Sequence, residues 1–593
     1  MKNQEIAKIF FQIADFMKME GIAFKPQAYI RVALNLESLN EDVGEIYKRD
    51  GLLGLQKIPG VGKGLAEAIE EYLKKGKIKT LEDFKKKSPI KLDELLNVES
   101  LGPKKIKVLY EKLGIKNLKD LEKQAKKHNI AELDGFGDKA EQNILQGLEF
   151  LKTASGRLSL GIVLPIAREI VEKLKLLPEV KQISLAGSLR RRKETIGDAD
   201  ILVASDNPKK IMDYFVALDG VEKVWAKGDT KASVRMKMGF DMDLRVVKEE
   251  SFGSALQYFT GSKEHNIATR KIAIEHGLKL SEYGLFKPAR IATQSVAGGG
   301  DKQIAGKTEE GVYNALGLSF IEPELREDGG EITAALSERS ESNGLPDLVK
   351  LGDIKGDLHC HSDWDGGENS IEEMVQTAMA MGYEYIGISD HTKFLKIENG
   401  LDEKQLLKQN EAIEKINEKL QVSSFKFQVL HGCECNILND GSLDIKDEVL
   451  EKLDYVIAGL HSSLKMPKKE MTERLIKAMK NPNVDIISHP TTRLLGKREE
   501  AHLDFDKILK TAKETGTILE INSSPERLDL NDFYIRRAKV EGVKMIINTD
   551  SHQKEQLILM EYGVSMARRG WAEKQDIVNT LPVEELIKNL KYK

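Results

Sequence analysis

At 593 residues the chain is far longer than one hydrophobic core supports, so several domains are expected. A hydrophobic content of 40% with 31% charged residues is ordinary for a globular protein, and no run approaches the roughly 18 apolar residues of a membrane span. The net charge of −4 excludes a globally basic nucleic-acid binder, so any grip on nucleic acid has to come from local geometry.

Met1 to Phe11 is charged and amphipathic, without the apolar core and cleavage site of a secretory signal, and the expected location is cytoplasmic. Cys360, Cys433 and Cys435 are too few for a disulfide scaffold and read as free thiols. Residues to about Phe150 read as helices with Lys-rich exposed faces. Three segments there share a glycine-punctuated turn followed by a helix: IPGVGKGLAEAI from Ile58, VESLGPKKIKVL from Val98 and LDGFGDKAEQNIL from Leu133. Gly60, Gly62, Gly102, Gly135 and Gly137 allow the turn and leave backbone N–H groups uncovered at the next helix start, where the dipole favours a phosphate. One such hairpin alone is as consistent with a plain helix connection; the repetition argues for a grip on a DNA backbone. The first is the strongest, because Ser100 stands at an expected glycine of the second and Asp134 at the usual proline of the third.

From Lys181 to Val247 the apolar runs QISLAG, ADILVA and FDMDLRVV read as strands of a mixed α/β region. Gly187 and Ser188 follow the first strand and are placed to offer an N–H and a hydroxyl to a triphosphate, with Arg190 and Arg191 to neutralise it. Asp198 and Asp200 alternate along a strand, so both carboxylates share one face, and Asp243 supplies a third. A lone D-x-D is usually a solvated strand end; the flanking glycine–serine pair and third aspartate point instead to paired Mg²⁺ ions and nucleotidyl transfer. Tyr258 and Phe259, read from chemistry alone, are core aromatics. Residues 321–352 are polar and carry Gly, Ser and Pro, which marks a linker.

After Asp353 apolar strands repeatedly end in a polar residue, with helices between them, as in a parallel barrel whose active site lies at the strand ends. Only His128, His265 and His276 precede Asp353; the other eight of eleven histidines follow it. IKGDLHCHS carries His359 and His361, YIGISDH carries His391, FQVLHGCE carries Glu434, YVIAGLH carries His461, VDIISH carries His489 and MIINTDSH carries Asp550 and His552. With TILEINSS these make seven candidate strands. One H-x-H says little, but apolar packing gives no reason for six histidines at one barrel mouth, and imidazole with carboxylate suits Zn²⁺, Mn²⁺ or Fe²⁺. Such a cluster bridges a phosphate and lowers the pKa of bound water, the chemistry of phosphate-ester hydrolysis. His431 and His502 lie outside the pattern and read as core or surface residues.

The first half resembles a family X DNA polymerase on its GS-plus-arginine segment, D-A-D, D-L-R, FGSALQYFTGSKEHNIATRKIA and LSEYGLF, and its glycine turns resemble helix-hairpin-helix motifs. The resemblance implies metal ligation by Asp198, Asp200 and Asp243, with Asp243 also assisting deprotonation of the primer 3′-hydroxyl. It further implies Tyr258, Phe259 and Gly261 beside the incoming sugar, and Asn266 and Arg270 against the nascent pair or template. Related members use a helix lysine as a Schiff-base nucleophile; Ala68 stands at the matching position, so little or no lyase activity is expected even with Lys63, Lys74 and Lys75 nearby. The second half resembles the PHP domain, a distorted seven-stranded barrel. That resemblance nominates His359, His361, Asp365, His391, Glu434, His461, His489, Asp550 and His552 as ligands of three metals. Asp365 sits one residue closer to His361 than is usual, which leaves Asp363 as a substitute.

The implied architecture is multidomain: a helical lyase-like domain with a helix-hairpin-helix (1–87), a helix-hairpin-helix domain (88–150), an α/β nucleotidyltransferase palm (151–248), a thumb-like subdomain binding the nascent base pair (249–320), the linker, and a distorted (β/α)7 PHP barrel (353–593). The implied function is a DNA repair polymerase adding dNTPs at short gaps, with a PHP 3′–5′ exonuclease or a processing activity on abasic sites or 3′ ends. Its expected cofactors are Mg²⁺ or Mn²⁺ at the palm and Mn²⁺ or Zn²⁺, three ions, in the barrel. Its expected partners are gapped, primer–template or abasic DNA and dNTPs, and the chain is expected to act as a monomer away from membranes. Two other readings are a phosphoesterase whose polymerase half only holds DNA, and a non-catalytic DNA-end scaffold; the ligand sets at both sites argue against the scaffold.

Overall fold

The computed structural model describes residues 2–22, 25–37, 39, 41–58, 60–96, 98, 101–133, 135–154, 157–288, 301–336, 344–421 and 426–590. The chain divides into two units, Met1–Ser155 with Gly496–Arg498, and Gly156–Leu495 with Glu499–Lys593.

The named elements of the first unit are all helices, because its apolar residues recur at helical spacing and close one core from Ile6, Phe10 and Ile13 to Leu109, Leu121 and Ile144. In the first hairpin Gly60 takes φ +78°, and Gly62 caps the helix Lys63–Lys75 with no side-chain hydrogen bond. Gly102 caps Pro103–Leu113 in the same bare way, while Gly135 and Gly137 take φ +83° and +72° before and at the start of Gly137–Ala154. An added Cβ at Gly62, Gly102, Gly135 or Gly137 meets nothing within 4 Å, so these turns are open on the side a side chain would occupy. Ser100 and Asp134 lie outside the described residues.

The second unit begins with a five-stranded sheet in the order Gln182–Leu185, Asp198–Ala204, Asp241–Val247, Lys231–Met236, Val221–Lys227. Its apolar face is covered by the helices Leu160–Lys175 and Pro208–Val216, through Val163, Ala167, Ile211 and Phe215 against Ile201, Val234 and Leu244. The sheet's second and third strands run parallel with Asp198 opposite Asp241 and Asp200 opposite Asp243. The helices Phe252–Thr260 and Lys263–Glu275, a three-stranded sheet and the helix Glu309–Ala315 follow, around Leu285, Val312, Tyr313 and Leu318.

The segment expected to be a linker is packed over its first half. Ile321, Leu325 and Ala335 are buried in that same core, Arg326 is fully buried against Glu309, and Glu331 is fully buried against His265. Its polarity is that of paired buried charges. Residues 337–343 lie outside the described residues.

The last region is a parallel barrel in two arcs: Gly356–Cys360, Tyr385–Ile388 and Gln428–His431, then Glu434–Asn436, Ile457–Gly459, Ile486–Ile487, Ile518–Asn522 and Met545–Asn548. Gln428–His431 and Glu434–Asn436 are parts of one run broken at Gly432 and Cys433, so the described strands follow the seven expected. Single bridges His391 to Glu434 and Cys360 to Ser551 close the arcs. The far end is filled by Leu358, Tyr385, Leu430, Tyr455, Ile457 and Ile518, and a Cβ on Gly387 or Gly432 would overlap the Tyr455 ring or hydroxyl. That apolar plug leaves the polar residues at the strands' C-terminal ends facing one mouth.

Candidate functional site

Two centres lie in the second unit. At the first, the register fixes the side chains: Asp200 and Asp243 are direct neighbours on adjacent strands, and Asp198 lies two residues up the same face. Asp243 Oδ2 meets the Lys231 ammonium at 2.9 Å. Gly187 opens the short helix Gly187–Arg190 at φ +60°, and a Cβ there would fall 2.1 Å from Asp200 Oδ2, so only glycine lets that loop reach the carboxylates. The Ser188 hydroxyl is buried with no hydrogen-bond partner among the described atoms. A cavity of about 800 Å³ opens over Gly187, Ser188, Asp198 and Asp200, and Arg191, Lys193, Lys263, Arg270 and Arg569 line it with positive charge.

Arg191, Tyr258, Phe259, Gly261, Asn266 and Arg270 all reach this cavity. Tyr258 and Phe259 stand edge to face with centroids 5.1 Å apart, and Arg245 covers Phe259 at 4.5 Å. Asn266 donates to the Tyr258 carbonyl at 2.7 Å and accepts from Gln257 at 2.8 Å, so its amide sets the position of Tyr258. Arg190 is the exception. It was expected at a triphosphate, yet both its terminal nitrogens go to Glu309, at 2.8 and 2.6 Å, and it is not among the cavity residues. A buried carboxylate 119 residues away outcompetes that role.

At the second centre Glu434, almost fully buried, is ringed by imidazoles: His391 and His489 Nε2 lie at 3.1 Å, His461 Nε2 at 3.3 Å and His359 Nε2 at 3.5 Å from its oxygens. Asp550 Oδ1 lies 3.5 Å from Nε2 of both His359 and His361. Ligand atoms of His361, His391 and His552 fall within 4.8 Å of one another, as do those of His359, His361 and Asp550, and of His391, Glu434 and His461. The Nδ1 atoms are held from behind: His359 by Glu520 at 2.7 Å, His461 by Asn436 at 2.8 Å and His552 by the Asp550 carbonyl at 3.0 Å. Nε2 of His359 and His361 and Oε2 of Glu434 are buried with no hydrogen-bond partner among the described atoms. Buried polar atoms that converge on one point unpaired, with their rings fixed from behind, are a donor set for cations. Burial pushes the Glu434 carboxyl up, but the surrounding imidazoles hold it well below its usual range.

Asp365 has ligand atoms within 4.8 Å of those of His361 and Asp390. Its Oδ2 lies 2.8 Å from Nδ1 of both His361 and His391, so here it orients two rings from the side away from Glu434. Asp363 is exposed. His431 is buried between Gln409 and Asn410, and His502 is exposed.

Several supporting residues carried no sequence signal. Glu520 lies inside an apolar strand, and Asn436 follows two cysteines. Arg527 places Nε 3.4 Å from Asp550 Oδ2 at the edge of the cluster, with a buried terminal nitrogen that has no partner among the described atoms. Only Glu520, as a lone acid in the apolar run TILEIN, was open to notice.

Family models match the chain along its length: a helix-hairpin-helix domain at 1–78, a SAM-like helix-hairpin-helix tandem at 92–149, the DNA polymerase beta thumb at 255–327 and the PHP domain at 357–524. The DNA polymerase/3′-5′ exonuclease PolX of Bacillus subtilis (strain 168) is 38% identical over 589 residues, which cover 99% of both chains. A protein named as a probable phosphatase from Acetivibrio thermocellus is 31% identical over 206 residues, 33% of this chain and 78% of its own. Another, from Thermoanaerobacter sp. (strain X514), is 33% identical over 178 residues, 28% and 70% of the two chains.

Two outcomes are expected from this geometry. Burial first, then the carboxylates of Asp198 and Asp243, push the Asp200 carboxyl up to about 7. The folded chain therefore binds that proton more tightly than the unfolded chain, whose carboxyl titrates at about 3.9, and ionisation costs stability that grows as pH rises between those values. In a chelator, Asp200→Asn is expected to unfold at a higher temperature than the wild type at pH 8, with the gap closing towards pH 4; equal unfolding temperatures at pH 8 contradict this. At the barrel, Glu520→Gln is expected to weaken Mn²⁺ or Zn²⁺ affinity by about 10–100-fold, read by titration calorimetry, because the His359 ring loses its charged partner. Unchanged affinity would remove that role.

Proposed function

The chain belongs to the family X DNA polymerases that carry a C-terminal PHP domain, and on that premise we propose that it fills short DNA gaps with dNTPs and trims 3′ ends in its barrel. The observation that carries the polymerase reading is the register of Asp200 with Asp243, with Asp198 and Asp200 lining a cationic cavity that also holds the unpaired Ser188 hydroxyl, and Asp243 lining a smaller one with Asp200. Mg²⁺ or Mn²⁺ held by Asp198, Asp200 and Asp243 would stabilise the attacking and leaving oxygens of the displacement. The chain's own part is to place the reactants. The Ser188 hydroxyl and the Gly187 backbone bind the triphosphate and Arg191 balances its charge, while Asp243 assists loss of the primer 3′-hydroxyl proton. Tyr258, held through its carbonyl by Asn266, and Phe259 wall the sugar and exclude a ribonucleotide, with Gly261 beside them and Arg270 towards the template. The bare helix N-termini after Gly60, Gly62, Gly102, Gly135 and Gly137 hold the DNA backbone without reading its sequence.

In the barrel, three Mn²⁺ or Zn²⁺ ions held by His359, His361, His391, Glu434, His461, His489, Asp550 and His552, with Asp365 as a ninth ligand or as the support seen here, would supply hydroxide and neutralise the leaving oxygen. Glu520 and Asn436 keep the rings in place, and Arg527 binds the scissile phosphate. The partners under this reading are gapped, primer–template or abasic DNA and dNTPs, and the chain acts as a cytoplasmic monomer. Among the described residues no helix is long and apolar enough to cross a membrane.

Lyase chemistry forms no part of the reading. A Schiff-base lysine needs an amine that loses its proton readily. Ala68 has none, the hydrogen bond to Glu70 raises the Lys74 pKa, and Lys75 is paired with Glu71 at 3.2 Å.

The test is a labelled primer on one-nucleotide-gapped DNA with Mn²⁺, with and without dNTPs. Asp198→Ala is expected to lose extension by more than about a hundredfold and keep 3′ shortening, and His359→Ala to do the reverse, since each removes a nominated ligand rather than a supporting partner. Shortening by the wild type without any extension would reduce the first half to a DNA grip.

A further inference from the structure

Two consecutive arginines end the barrel helix Met560–Arg569, and each takes hold of the polymerase half. Arg568 donates to Glu324 at 2.7 Å, and Arg569 Nη1 donates to Glu327 at 3.1 Å. Between those two acids Arg326 points the other way, fully buried, and donates to Glu309 at 2.6 Å; the same carboxylate holds Arg190. The segment from Glu324 to Glu327 therefore ties the barrel on one side to the loop bearing Arg190 and Arg191 on the other.

Glu327 is the junction. Besides Arg569 it accepts from Arg191 Nε at 3.0 Å, and the Lys193 ammonium lies at 3.6 Å. Arg569 Nη1 also reaches the Arg191 carbonyl oxygen at 2.8 Å, and its other terminal nitrogen pairs with Asp532. Burial pushes the Glu327 carboxyl up, yet the surrounding cations hold it below its usual range, so it is ionised when the pairings form. The Arg569 side chain is only 3% exposed, unlike the solvated ion pairs that contribute little. Truncating it leaves the partly buried Glu327 carboxylate short of a donor and frees the backbone of Arg191. Arg191, Asp532 and Arg569 all line the nucleotide cavity, so two of its lining residues come from the barrel domain.

We propose that Arg569 is a positioning residue for nucleotide addition: through Glu327 and the Arg191 carbonyl, the PHP domain holds the Arg191 guanidinium where the triphosphate binds. This rests on reading the palm as the nucleotidyl-transfer site. The role is distinct from the barrel's own chemistry, because the hydrogen bonds of Arg569 go to Glu327, the Arg191 carbonyl and Asp532.

The experiment is steady-state gap filling by the full chain as wild type, Arg569→Ala, Arg569→Lys, Glu327→Gln, Arg191→Ala and the Arg569→Ala/Arg191→Ala pair, with 3′ shortening measured on the same preparations. The KM for dNTP is expected to rise about tenfold in Arg569→Ala, while kcat stays within about twofold and shortening is unchanged. Arg569→Lys should recover part of the loss, and the double variant should be no worse than Arg191→Ala alone, because both act through one guanidinium. Should Arg569→Ala not fold, Glu327→Gln must raise KM in the same way. An unaltered KM in the folded variants, or losses that add in the double variant, overturns the proposal. Extension by the wild type with such a result leaves the polymerase reading standing; absence of extension by the wild type overturns both.

Discussion

Ligand-type side chains crowded onto one point are the constraint on which both centres depend. Neighbouring strands lie about 4.8 Å apart, so the register that puts Asp200 beside Asp243 sets two carboxylates at a separation where like charges repel by about 3.5 kcal/mol at an effective dielectric of about 20. The Lys231 ammonium offsets part of this for Asp243, but Asp200 keeps a carboxyl pushed up to about 7. A protein selected only to fold would place a neutral residue there. The cost is recovered when a divalent cation enters, and the same repulsion then becomes affinity.

The barrel meets the constraint differently. Glu434 stays ionised among imidazoles, and those of His359, His391 and His461 have their Nδ1 atoms held from behind, which fixes these rings towards the centre. Rigid strand ends supply the donors and a polar outer layer supplies their direction. Asp550 is even held at φ +57°, a backbone conformation uncommon for a residue other than glycine, asparagine or aspartate. The two centres are not independent bodies strung on a chain: the pairs Arg168–Glu561, Glu194–Arg493, Glu324–Arg568 and Glu327–Arg569 join palm and thumb to the barrel. Gly161 packs so closely on Pro525 that an added Cβ would overlap it.

How much of this could be read from the chain follows from the range of each interaction. Asp198 and Asp200 declare themselves because strand alternation puts them on one face, and the barrel histidines because each ends an apolar run. Gly187 is legible as a turn, though the 2.1 Å reason for it needs Asp200 in place. Arg190 was misread as a phosphate ligand because its partner Glu309 lies on another subdomain. The segment 321–336 looked like a linker because polarity in a sequence cannot distinguish solvated charges from buried pairs such as Arg326 with Glu309 and Glu331 with His265. Arg569 is silent for the same reason, and Glu520 shows only as a lone acid in an apolar run: each matters through a partner more than 150 residues away in sequence, Glu327 for one and His359 for the other.

The central claim is that both clusters are built to be closed by cations. The direct measurement is a crystal of the full chain grown with Mn²⁺, with anomalous scattering recorded at the manganese edge. The account predicts peaks beside Asp198, Asp200 and Asp243 and several more among His359, Glu434 and Asp550, with the rings turned as described. Ordered side chains in the same positions with no anomalous density at either centre would contradict it.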